Sequence, residues 1–109
     1  MNDTPHSTIS IVLTTLGADA DAATIARTLV DERVAACVNI LPPMTSVYRW
    51  QGKAEQDREQ QIVIKTAQDR VRALQTRLRQ LHPYELPEFL VLDATASDAY
   101  FAWVGESAR

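Results

Sequence analysis

The stretch "AACVNILPPMTSVYRWQGKAEQDREQQIVIKT", residues 35–66, decides the fold. It opens as a strand, "AACVNILPPM" (35–44), and breaks at Pro42-Pro43. Proline cannot donate to a sheet ladder, so the break marks an edge, a kink or a bulge. The chain resumes with Val47, Arg49 and Gln51 on one side and Tyr48 and Trp50 on the other. Gln51-Gly52 can turn, and "EQQIVIKT" (59–66) returns as a strand. Ile62 and Ile64 share one of its faces; Glu59, Val63 and Lys65 share the opposite one. The result is a hairpin longer than a small sheet needs. Its arm, with Tyr48, Arg49 and Trp50, either folds back on its own domain or pairs with another copy. Pairing is the favoured expectation, because a long protruding strand leaves unpaired N–H and C=O groups.

Outward from the hairpin, "TISIVLTTL" (8–16) is β-branched and apolar, the pattern of a strand buried on both faces. After Gly17, Asp19 or Asp21 can cap a helix over residues 20–33, with Ala22, Ile25, Ala26, Leu29 and Val30 at helical spacing. On the C-terminal side, residues 67–82 carry the stripe Val71, Leu74, Leu78 and Leu81. His82-Pro83 ends that helix, since a residue before proline avoids helical geometry. "EFLVLDA" (88–94) reads as a strand, and residues 97–109 as a C-terminal helix capped by Ser97. The order β-α-β-β-α-β-α predicts an α+β, ferredoxin-like sandwich: a split βαβ with both helices on one face of an antiparallel sheet. One domain is expected over residues 8–109, behind a polar tail, residues 1–7, expected to be disordered.

The 109 residues carry a formal net charge of -3, so no global positive field draws nucleic acid. Arg70, Arg72, Arg77 and Arg79 read as a solvated helix face. Cys37 is the single cysteine, which excludes an intrachain disulfide and a zinc finger and suits a reducing compartment. No apolar run approaches the ~20 residues a membrane helix needs, and "MNDTPHST" does not read as a secretory signal. A cytoplasmic location with no membrane partner is the expectation.

Chemistry-bearing residues are few. His82 at a helix end favours the C-terminal dipole when charged; as a ligand for Cu(II), Zn(II) or Ni(II) it needs partners, with Glu85 and Glu88 near in sequence. Cys37, between small residues, reads as a small hydrophobe. Lys65 shares a face with Glu59, which suggests an ion pair. Alternatively Lys65, Glu59, Tyr84 and Trp50 meet at a subunit junction and line a polar cleft with an aromatic wall, fit for a small anion or a metal ion. No Gly-rich phosphate loop and no nucleophile–base pair is visible, so catalysis is not expected.

The blocks "AACVNILPPMTSVYRWQGK", "EQQIVIKT", "HPYELPE" and "YFAWV" together resemble the CutA family of divalent-cation tolerance proteins. The likeness runs from about Ile9 to Ser107 and includes Cys37, Tyr48, Trp50, Gly52, Lys65, His82, Pro83, Tyr84, Pro87, Tyr100 and Trp103 in the family order. The resemblance implies a ferredoxin-like homotrimer joined edge to edge by strands, with Tyr48, Trp50, Tyr100 and Trp103 at the interface. It also implies a role in tolerance of divalent metals, copper above all, with no established reaction. Family copper binding is associated with a first-strand cysteine and a histidine pair before Pro-Tyr; here Thr14 and Leu81 stand at two of those places. His82 alone carries over as a metal ligand, so any Cu(II) or other divalent-cation contact is expected to be weak, with no obligatory cofactor. "LHPYELPE" (81–88) is then both connector and cleft wall, with Tyr84 near the subunit boundary and His82 and Glu85 facing a shallow polar site. Cys37, Lys65, Glu59, Tyr84, Glu85 and Trp50 make up the expected ligand cleft. The alternative function is a trimeric sensor that binds an anionic effector between subunits.

Overall fold

The computed structural model describes residues 7–109. The expectation of a disordered tail falls on residues 1–6, outside the described residues. Ser7, counted with that tail, is buried, and its carbonyl accepts from the Ala96 N–H at 2.8 Å.

Five strands and three α-helices follow in order: β1 (Thr8–Gly17), α1 (Ala22–Asp31), β2 (Cys37–Ile40), β3 (Met44–Trp50), β4 (Lys53–Thr66), α2 (Val71–Leu81), β5 (Leu90–Thr95) and α3 (Asp98–Ser107). The sheet order is β2-β4-β1-β5, with β3 on the outer half of β4. All pairings are antiparallel, so β1 and β2 run parallel on either side of β4. That is the split βαβ of the ferredoxin-like sandwich.

The local chemistry explains the boundaries. Asp21 caps α1 by accepting from the Thr24 N–H at 3.1 Å and its hydroxyl at 2.7 Å. Ser97 caps α3 by accepting from the Tyr100 N–H. The Pro42-Pro43 break is a bulge: Leu41, Pro42 and Pro43 separate β2 from β3, whereas only Gln60 and Gln61 separate their partners on β4. Gln51 and Gly52 both have positive φ, 51° and 83°, which gives the hairpin turn the twist its strands need.

Alternation along β1 sorts the sheet into two faces. Val12 and Leu16 join Ile62 and Ile64 beneath Leu29 of α1 and Leu74 and Leu78 of α2, forming the main core. On the other face, α3 covers only one end, where Val104 and Ala108 pack with Ile9. Beyond it lie Ile11 and Leu13, in register with Leu92 and Leu90 on β5. No helix among the described residues covers these; Leu90 and Leu92 are 51% and 52% exposed.

Thr14 faces the main core, and its Oγ1 has no hydrogen-bond partner among the described residues. An unpaired buried hydroxyl costs free energy that an isosteric methyl does not. Thr14→Val is therefore expected to raise unfolding stability by about 1 kcal/mol in urea titration; a lowered midpoint would reveal a partner for the hydroxyl.

Candidate functional site

β5 leaves β1 at Leu13, so the last residues of β1 lack a strand on that side. The segment following α2 fills the gap. Pro83 forces His82 out of the helix into extended backbone, φ −78° and ψ 132°. Its ring then reaches the Thr15 carbonyl, 2.7 Å from Nε2, while Nδ1 accepts the Tyr84 N–H at 3.1 Å. These contacts fix a neutral ring that carries its proton on Nε2. Burial is the main influence on the ring and holds its pKa below the ordinary 6.5.

His82 therefore does not face a shallow polar site as expected. It is buried, and both ring nitrogens serve the fold. Thr14 and the partly buried Leu81, which packs against the main core, supply no soft donor beside it. Among the described residues, no three His, Cys, Asp or Glu side chains come together in a metal-sized group. The described donors of one chain do not fit a resident copper ion.

Tyr84, next along, tilts against the His82 ring at 4.9 Å. Its hydroxyl donates to Glu59 Oε2 at 2.6 Å, and Glu59 is 7% exposed. Burial and this carboxylate both push the Tyr84 phenol pKa far up. On the hairpin the Tyr48 hydroxyl donates to Asp57, which pushes its pKa up to about 12. Between the arm and the loop lies a pocket of about 320 Å³, lined by Tyr48, Trp50, Pro83, Tyr84, Glu85 and Leu86.

Of the residues expected in the cleft, Trp50, Tyr84 and Glu85 line this pocket within one chain, and Glu59 meets it through the Tyr84 hydroxyl. The structure does not bring Lys65 or Cys37 to them within one chain. Lys65 lies six positions along the strand from Glu59, about 20 Å. The expected Lys65–Glu59 ion pair is replaced by two other contacts. Lys65 Nζ donates to Asn39 Oδ1 at 2.9 Å, and Glu59 takes the Tyr84 hydroxyl. Cys37, half-buried opposite Lys65 in the ladder, places its thiol 3.8 Å from the same Asn39 oxygen.

Sequence reasoning missed Asp57 and Asn39. Asp57 was legible: a Gln51-Gly52 turn sets Tyr48 opposite Glu55, so Asp57 is a diagonal neighbour within reach. Tyr48 and Trp50, expected at a trimer interface, line this pocket opposite their own chain's loop. Tyr100 and Trp103 sit on the outer side of α3 as a tilted ring pair 5.4 Å apart, 37% and 45% exposed.

A family model described as "CutA1 divalent ion tolerance protein" matches residues 10–107. A divalent-cation tolerance protein CutA from Pectobacterium atrosepticum is 42% identical over 110 residues, covering 100% of both chains. Its namesake from Thermus thermophilus is 43% identical over 98 residues, 89% of this chain and 95% of that one. The solved Thermus thermophilus structure superposes with a TM-score of 0.87 at 41% identity, covering 93% of this chain and 99% of the other. The solved apo structure of a PII-like protein CutA from Nostoc sp. PCC 7120 gives 0.85 at 34% identity over 92% of this chain and 97% of its own. With the same split βαβ sheet and a match across nearly its whole length, this chain belongs to the CutA1 divalent ion tolerance family.

Proposed function

We propose that this chain serves divalent-cation tolerance as a homotrimeric, non-catalytic cytoplasmic protein. Its contact with copper or another divalent ion is weak and draws on donors from more than one protomer. The supporting observation is the apolar sheet face that no helix covers, which includes Leu90 and Leu92 at half exposure. A patch of this kind on a small domain marks an interaction surface. The strand edges and the exposed Tyr100–Trp103 pair are further surface of the same character. Cys37, a soft donor, lies on β2, an edge strand that a neighbouring chain can approach. No helix among the described residues is long and apolar enough to cross a membrane.

A sensor reading rests on the pocket between the arm and the 83–86 loop. Its anionic version requires Lys65, which reaches that pocket only from a neighbouring protomer. The tolerance reading is tested by deleting the gene in its host and comparing growth across a Cu(II) series. Lowered copper resistance, restored by the intact chain, is the expected result; unchanged growth for Cu(II) and for other divalent ions would remove it.

A further inference from the structure

We propose that the pocket between the hairpin arm and the 83–86 loop binds a small organic cation, an alkylammonium held over aromatic faces inside an acidic rim. The ladder register divides the arm into two unlike faces. Tyr48 and Trp50 share theirs with Glu55, Asp57 and Glu59; Arg49 and Arg58 lie on the reverse. Those arginines are turned to other oxygens, Gly52 O and Thr45 Oγ1, each at 3.4 Å. Lys53, opposite Trp50 at the tip, is the one cation in the aromatic face of the arm. Across the gap the loop adds Tyr84 and Glu85, over an apolar floor of Pro83 and Leu86. Arg79 does not line this pocket; it lines an adjoining hollow that shares Tyr84, Glu85 and Leu86 with it.

The phenols are prepared for this role. Tyr48 donates to Asp57 and Tyr84 to Glu59, so each hydroxyl leans toward a carboxylate and its ring becomes richer in electrons. Cations are drawn to such faces, most strongly to tryptophan and tyrosine. A simple anion meets carboxylates here and no free guanidinium. A bare divalent ion finds no group of three ligands among the described residues. About 320 Å³ suits a ligand of a few carbons around a charged nitrogen. The described lining residues all come from one chain, so this inference is tested apart from the trimer and copper readings.

The full chain is titrated calorimetrically with tetramethylammonium chloride, with neopentyl alcohol as an uncharged ligand of similar shape and sodium chloride as the ionic-strength control. Saturable binding of one tetramethylammonium per chain is expected, about tenfold tighter than the alcohol. Trp50→Leu should weaken it by a similar factor. Leu86→Arg, which puts a fixed cation in the pocket, should abolish it while leaving the far-ultraviolet circular dichroism unchanged. Absence of saturation, equal affinity for the alcohol, or undiminished binding by Trp50→Leu would each overturn the proposal. Sedimentation of the same samples separates the two ideas: a single chain that still binds tetramethylammonium sinks the assembly reading alone.

Discussion

Glutamate at both Leu90 and Leu92 is expected to convert the proposed trimer into single chains. The two residues are successive members of one face of β5, opposite Leu13 and Ile11 of β1. In one chain they are 51% and 52% exposed, so a charge there stays in water and the fold tolerates it. In a trimer that buries this face, the same charges lose their hydration and find no fixed cation. An uncompensated buried charge costs several kcal/mol, and a trimer repeats the cost at every seam. Sedimentation velocity checks the outcome: a species of about 37 kDa for the parent (three copies of the 12.2 kDa chain) and the single-chain mass for the double variant. An unaltered trimer would place the interface elsewhere, on the β2 and β3 edges or on α3. A parent that sediments as one chain would remove the trimer itself.

The main layout could be read directly because burial writes a period into sequence. β1, α1 and α2 each bury apolar residues at a spacing that one secondary structure explains, and their positions follow. β4 is the instructive exception. It is read as 59–66 but runs from Lys53 to Thr66. Its first half, "KAEQDR", is exposed on both faces because it forms the projecting arm, so nothing apolar marks its period. The ladder to β3 and the two-residue turn hold it instead. The reverse error occurs at β2, read as 35–44 and found at Cys37–Ile40. Ala35 and Ala36 are buried in the connection from α1, where their N–H groups meet Leu29 O and Lys65 O. Burial alone made them look like strand.

The site was legible in its parts and not in its distances. Lys65 and Glu59 do share a parity, but parity assigns a face and leaves five residues of strand between them. His82 was legible as the helix stop. Its engagement with Thr15 was not, because it depends on β5 pairing with β1 only as far as Leu13. The missing strand partner creates the acceptor that removes this histidine from the list of free ligands.

Tyr84→Phe is expected to destabilise the protein by about 1.5–3 kcal/mol, the range for a hydrogen bond to a charged group. The lost atom makes one hydrogen bond, 2.6 Å to Glu59 Oε2, and Glu59 is 7% exposed. Phenylalanine fills nearly the same space, so the loss is one of polarity: a carboxylate remains buried beside a ring edge that no longer donates. A thermodynamic cycle separates that loss from packing. Glu59→Met removes the acceptor and keeps the length, and the double variant leaves neither partner unsatisfied. The double variant should therefore be less destabilised than the sum of the two single changes, by about 1 kcal/mol or more. Strict additivity in urea titration would mean that the Tyr84 hydroxyl and Glu59 are each served by water. The contact joins the loop after α2 to the base of the arm, so its loss also bears on the pocket. With the hydroxyl gone, the 83–86 loop loses a tie to β4, and Tyr84→Phe should weaken tetramethylammonium binding even though phenylalanine still offers a ring face.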